Sequence, residues 1–177
     1  MQPLAKAAIN RIDELNFYPL HYKKIYLHWL NNIQDWCISR QIWWGHQIPA
    51  YHCQNCHHII IDDTLPFQCQ KCLSSHFIKD PDVLDTWFSS WLWSFVAGYN
   101  HFPQSLIVSG SDILFFWIAR MIMASLFFTD KTPFHDIYLH GIIRDNNNKK
   151  MSKSTGNVIN PLSMIETIGA DALRDLV

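Results

Sequence analysis

From Ser105 to His140 the chain reads as strand, turn, helix and strand, and this run limits the available folds more than any other. Ser105-Leu106-Ile107-Val108 is a short apolar strand, and Ser109-Gly110-Ser111-Asp112 turns. Ile113 to Phe128 has the length and character of a helix, and Asp136 to His140 is a second strand. Two strands joined through a helix of this length form a parallel βαβ unit, and its crossover should be right-handed. Ligands of such sheets bind beyond the carboxyl ends of the strands. Here those ends are Ser109 to Asp112 and His140-Gly141. Polar and glycine residues are thus concentrated where a ligand should lie. The expected fold class is α/β.

Other segments are less regular. The first ~20 residues carry a helical pattern. Tyr22 to Ile33 reads as a helix, with Ile25, Trp29 and Ile33 on one side. A strand is expected to end at Tyr51, and Asp82 to Val96 reads as an aromatic helix. Another helix closes the chain from Ala170 to Val177, without a cap, so both ends look cut from a longer protein. The apolar run Ile113 to Phe128 is broken by Arg120 and Ser125 and reads as too short and polar for a membrane span. Met1-Gln2-Pro3-Leu4 has no signal-peptide character, so the cytoplasm is the expected location. Lys+Arg 14 against Asp+Glu 15 gives a net charge of -1, which argues against a stand-alone nucleic-acid binder.

Cys53-Gln54-Asn55-Cys56 and Cys69-Gln70-Lys71-Cys72 are two CxxC pairs with twelve residues between them. Such knuckles can set four thiolates tetrahedrally around Zn²⁺, with no position left for water, which makes the role structural. Two disulfides or loose thiols are the alternatives. Nothing in the sequence points to an oxidising compartment. His52, His57, His58 and His76 lie nearby and read as surface residues sooner than as substitute ligands, and Cys37 is left over as a buried small hydrophobe.

At the polar end of the sheet, Asp112 can cap the following helix or present a carboxylate to a substrate ammonium. Trp44 and Trp117 each read as core sooner than as pocket, and His140 as a nucleotide contact or a plain strand end. Further on, Lys149, Lys150 and Lys153 crowd into a polar loop, Asp145 to Asn157, that can build no core. The bland reading is a solvated loop. The alternative is that an anion lies between the lysines.

Lys150-Met151-Ser152-Lys153-Ser154 matches letter for letter the KMSKS signature of class I aminoacyl-tRNA synthetases. Other pieces resemble the valyl type: Asp35-Trp36-Cys37-Ile38-Ser39-Arg40-Gln41, Trp43-Trp44-Gly45-His46, Asp82-Val83-Leu84-Asp85-Thr86-Trp87-Phe88-Ser89-Ser90, and Ser111-Asp112-Ile113-Leu114-Phe115-Phe116-Trp117. The resemblance runs from about Tyr22 to Val177. It implies the C-terminal half of a Rossmann-like nucleotide-binding domain with an inserted zinc ribbon. Residues 1–51 would be the return from an editing insertion and the start of the half-domain, 52–79 the ribbon, and 80–177 the rest, with the signature loop.

The resemblance also implies roles. Asp112 would bind the α-ammonium of valine, and Trp44, Ile113 and Trp117 would line its side-chain pocket. His140, Gly141, Lys150, Met151, Ser152 and Lys153 would contact ATP, taken with Mg²⁺. Lys150 and Lys153 would stabilise the phosphates during catalysis. Cys53, Cys56, Cys69 and Cys72 would hold Zn²⁺, and tRNA(Val) would be the partner. The family's HIGH motif, editing domain and anticodon-binding helices are absent from this sequence, so the chain alone is expected not to form valyl-adenylate. A non-catalytic RNA-binding remnant and an isoleucine or leucine ligase are the rival readings.

Overall fold

The computed structural model describes residues 1–97 and 101–175. Its centre is a three-stranded parallel sheet of β1 (Asn16–Tyr18), β8 (Phe134–His140) and β7 (Gln104–Gly110), in the order β1-β8-β7. β8 is the middle strand, with Ile137 opposite Phe17 on one side and Ile107 on the other. Helices α1 (Gln2–Asn10), α2 (His21–Asn31) and α5 (Ala119–Thr129) bring Ala5, Ala8, Tyr26, Leu30, Met121 and Ile122 into one core with Phe17, Ile137 and Leu139. Side chains alternate across a strand. The other face of the sheet therefore carries Tyr18, Leu106, Val108 and Tyr138, all exposed.

Three elements differ from the sequence reading, each for a physical reason. The helical pattern of the first ~20 residues stops at Asn10, because Asn16-Phe17-Tyr18 is drawn into the sheet beside Asp136-Ile137-Tyr138. The continuous helix expected over Asp82 to Val96 is divided. β6 (Val83–Leu84) pairs with β2 (Ser39–Arg40), and α3 (Thr86–Ser90) precedes α4 (Trp93–Val96). Asp85 causes the break by accepting the Trp87 N–H at 2.7 Å as an N-cap. The crossover opens with a 3₁₀ turn, Ser111–Ile113, and a π turn, Leu114–Ile118, before α5. The run Ser111–Thr129 is in fact long and apolar enough to cross a membrane on length and composition. Ala119 to Leu126 are nevertheless all buried inside the protein.

Arg120 fixes the crossover laterally. It is 6% exposed, and its guanidinium lies 3.5 Å over the Trp36 ring. Burial lowers its pKa against the pull of nearby Asp85. The Asp85 carboxylate itself pairs with Arg40 at 2.5 Å. A separate antiparallel sheet carries the cysteines, in the order β4 (Ile59–Ile61), β3 (Ala50–Cys53), β5 (Phe77–Lys79). After β8 come the signature loop, α6 (Pro161–Ile168) and α7 (Ala170–Asp175). Of the helix expected over Ala170 to Val177, Ala170–Asp175 is formed, and Leu176 and Val177 lie outside the described residues.

Candidate functional site

β7 and β8 end side by side, with Gly110 opposite His140. Beyond them lies a cavity of about 420 Å³ lined by Gly110, Asp112, His140, Gly141, Ile142, Ile143, Lys150 and Met151. Gly110 is a glycine for a steric reason. A Cβ there would stand 2.7 Å from Asp112 Oδ1, so any larger residue would displace the carboxylate. Asp112 makes no capping bond, because Gly110 takes the N-cap position. Its carboxylate is ion-paired with the Lys150 ammonium. The Asp112 and Lys150 side chains are 34% and 60% exposed, and a pair that open to water is worth about 0–1 kcal/mol. A competing ammonium can therefore displace the lysine at little cost. His140 Nδ1 lies 2.7 Å from the Gly141 carbonyl, which can only accept. Nδ1 thus carries a proton and donates it to that carbonyl.

The sequence-derived residues fall into two groups. Asp112, His140, Gly141, Lys150 and Met151 share the cavity, with Ser152 next along the chain. Trp44, Ile113, Trp117 and Lys153 do not line it. Trp44 stands 86% exposed between Gln41 and Pro49. Trp117 donates its indole N–H to the Ser90 carbonyl at 3.1 Å and lines another cavity, of about 500 Å³, with His46, Phe88 and Trp93. Ile113 sits half-buried in the 3₁₀ turn, and Lys153 is exposed in the turn where Gly156 N–H meets the Ser152 carbonyl at 3.1 Å. Ile142 and Ile143 supply apolar wall that sequence reasoning passed over. Their place as two consecutive isoleucines just past a strand end was the available signal.

The second candidate is the cysteine cluster. The four Sγ atoms of Cys53, Cys56, Cys69 and Cys72 lie within 4.8 Å of one another. Cys53–Cys72 is 3.5 Å and Cys56–Cys69 3.6 Å, far beyond the roughly 2.0 Å of a disulfide. Sulfurs held tetrahedrally about 2.3 Å from one ion lie roughly 3.8 Å apart, so the cluster fits zinc. Both knuckles follow one trace. Cys53 N–H bonds the His58 carbonyl and His57 N–H the Cys53 carbonyl, at 2.9 Å each, and the Cys69 knuckle repeats this with Ser74 and Leu73. Burial pushes the Cys53 thiol up, but the Cys56 and Asn55 N–H groups and neighbouring thiols outweigh it and bring it down to about 6. At Cys72 the Ser74 N–H pulls down, yet the other three thiols and burial push it to about 12.

The sequence profile of tRNA synthetases class I (I, L, M and V) matches residues 1–177. The valine–tRNA ligase of Treponema denticola is 51% identical over 185 residues, covering 98% of this chain and 20% of the relative. That of Bdellovibrio bacteriovorus is 52% identical over 186 residues, covering 98% and 21%. The chain thus spans about a fifth of the length of the curated relatives it matches. Among solved structures, the LeuRS–tRNA–LeuAMS ternary complex of Agrobacterium radiobacter K84 superposes with a TM-score of 0.60 at 25% identity, over 80% of this chain and 23% of that one.

Proposed function

The chain belongs to the class I tRNA synthetases (I, L, M and V), and we propose that it is the second half of the catalytic domain of a valine–tRNA ligase. The full enzyme would join valine to ATP, release pyrophosphate, and pass the valyl group to tRNA(Val) in the cytoplasm. The observation that carries this reading is the meeting of a signature-loop ammonium and a strand-end carboxylate at the Lys150–Asp112 pair. A carboxylate that already holds one ammonium is suited to the α-ammonium of an amino acid. Valine taking that place releases Lys150 toward the triphosphate.

Lys150, joined by Lys153, then neutralises charge as the valine carboxylate attacks the α-phosphorus and pyrophosphate leaves. Such catalysis is mainly positioning and electrostatic stabilisation. Mg²⁺ would share the phosphate charge. His140 and Gly141 line the nucleoside side of the cavity. In this reading Trp44, Ile113 and Trp117 would border the valine side chain in the full enzyme. A pocket of that kind separates branched side chains by only about 1–3 kcal/mol per methylene.

Cys53, Cys56, Cys69 and Cys72 would hold a structural Zn²⁺, whose chemistry is to fix four thiolates at one point. Residues 1–51 would lead in from an editing insertion, 52–79 form the ribbon, and 80–177 complete the half-domain. On this reading the isolated chain forms no adenylate. The test is genetic. A full-length valine–tRNA ligase carrying this segment in place of its own should support growth of cells depleted of that enzyme. Failure of a folded, soluble hybrid to do so would count against the reading.

A further inference from the structure

The loop from Asp145 to Asn157 contains neither helix nor strand, and its one ladder contact is the isolated Arg144–Lys150 bridge. Two of its side chains nevertheless collect five hydrogen bonds. Asp145 Oδ1 accepts the Asn147 N–H at 2.9 Å and the Lys149 N–H at 2.8 Å. Asp145 Oδ2 accepts from Asn157 Nδ2 at 2.7 Å. Asn157 Oδ1 in turn accepts the Ser152 N–H at 2.9 Å, and Asn157 Nδ2 also donates to the Lys150 carbonyl at 3.3 Å. Only one orientation of the Asn157 amide serves both sides, with its oxygen facing an N–H and its nitrogen facing a carboxylate.

Lys150 is therefore gripped from both flanks. The Lys149 and Ser152 N–H groups are tied to Asp145 and Asn157, and its own carbonyl is tied to Asn157. What remains free is the four-carbon stem that carries the ammonium to Asp112. We propose that Asn157, seated on Asp145, is a positioning residue that fixes the backbone from Lys149 to Ser152 so that Lys150 reaches the strand-end cavity. The Asn157 amide, ahead of the Lys149 N–H, holds the Asp145 carboxyl below the usual carboxylate range. The carboxylate form, the one that can accept all three bonds, is thus the form present near neutral pH.

The kinetic consequence rests on the valine-activation reading, while the geometry does not. The test is a reciprocal exchange in a full-length ligase carrying this segment. Asn157→Asp sets two carboxylates face to face, and Asp145→Asn sets two amides face to face. The double variant restores one donor and one acceptor across the pair. Each single variant should lower kcat for valine-dependent ATP–pyrophosphate exchange by about 10²-fold, the scale of a misplacement near 1 Å. KM for valine should stay unchanged, and the double variant should recover most of the loss. A role confined to stability would instead lower the thermal midpoint and leave this kcat pattern unmoved. Singles as active as the parent, or a double no better than the worse single, would overturn the proposal.

Amide hydrogen exchange on the same hybrids separates the two ideas. If the unsubstituted hybrid shows no valine-dependent exchange, the ligase reading fails and the amides decide the rest. Deprotection of Lys149 to Ser152 in Asn157→Asp, reversed in the double variant, supports the positioning role. Unchanged protection overturns it.

Discussion

Chelating the Zn²⁺ that Cys53, Cys56, Cys69 and Cys72 would hold is expected to unfold residues 52–79 while the parallel sheet stays folded. The reason is the composition of the ribbon. Its three strands are three or four residues long. Ile59, Ile61, Leu65, Phe67 and Ile78 are all more than half exposed, Phe67 at 93%. The buried side chains of β3 and the knuckles are Ala50, Tyr51, Cys53 and Cys69, each contributing a few kcal/mol at most. So small a core cannot offset the conformational entropy of ordering the segment. Structural zinc in small cysteine sites supplies an apparent ~10–16 kcal/mol near neutral pH, enough to reverse that balance. Cys53→Ser should have the same local effect. Metal analysis with peptide-resolved hydrogen exchange measures both, and protection of 52–79 that survives complete metal loss would contradict the assignment.

In a full-length enzyme carrying this segment, Lys150→Ala should lower kcat for adenylate formation by about 10²–10³-fold, the usual scale for removing one preorganised charge donor. KM for valine should not rise, because Asp112 loses a competitor for the ammonium. Asp112→Asn should act in the opposite sense, raising KM for valine well before any change in metal content or thermal midpoint. Steady-state pyrophosphate exchange separates the two. A rise in valine KM from Lys150→Ala would mean that the ion pair is not the place an incoming ammonium takes.

The sequence disclosed this molecule unevenly, and the reasons are local. β7 and β8 were legible because they are apolar runs ended by polar or glycine turns. The cysteine cluster was legible because its ligand spacing lies in the chain itself. β1 was not: three residues become a strand only through a partner some 120 positions away. The break at Asp85 was hidden inside an aromatic pattern that fits a helix until the side chain caps Trp87. Asp112 and Lys150 were each singled out for chemistry, yet their meeting across 38 residues depends on the sheet bringing two loops to one end. Asn157 went unassigned because its partners, two backbone groups and the Asp145 carboxylate twelve residues away, are set by the fold of the loop and by no residue pattern. Trp44 and Trp117 were paired by motif, whereas the fold sets one in solvent and the other against Ser90.

The most direct measurement is amino-acid-dependent ATP–pyrophosphate exchange by a full-length enzyme carrying this segment, run in parallel with valine, isoleucine, leucine and methionine. Valine should drive exchange well above the other three, and Asp112→Asn should suppress that rate. Exchange driven equally by isoleucine or leucine, or untouched by the loss of the Asp112 charge, would contradict the account.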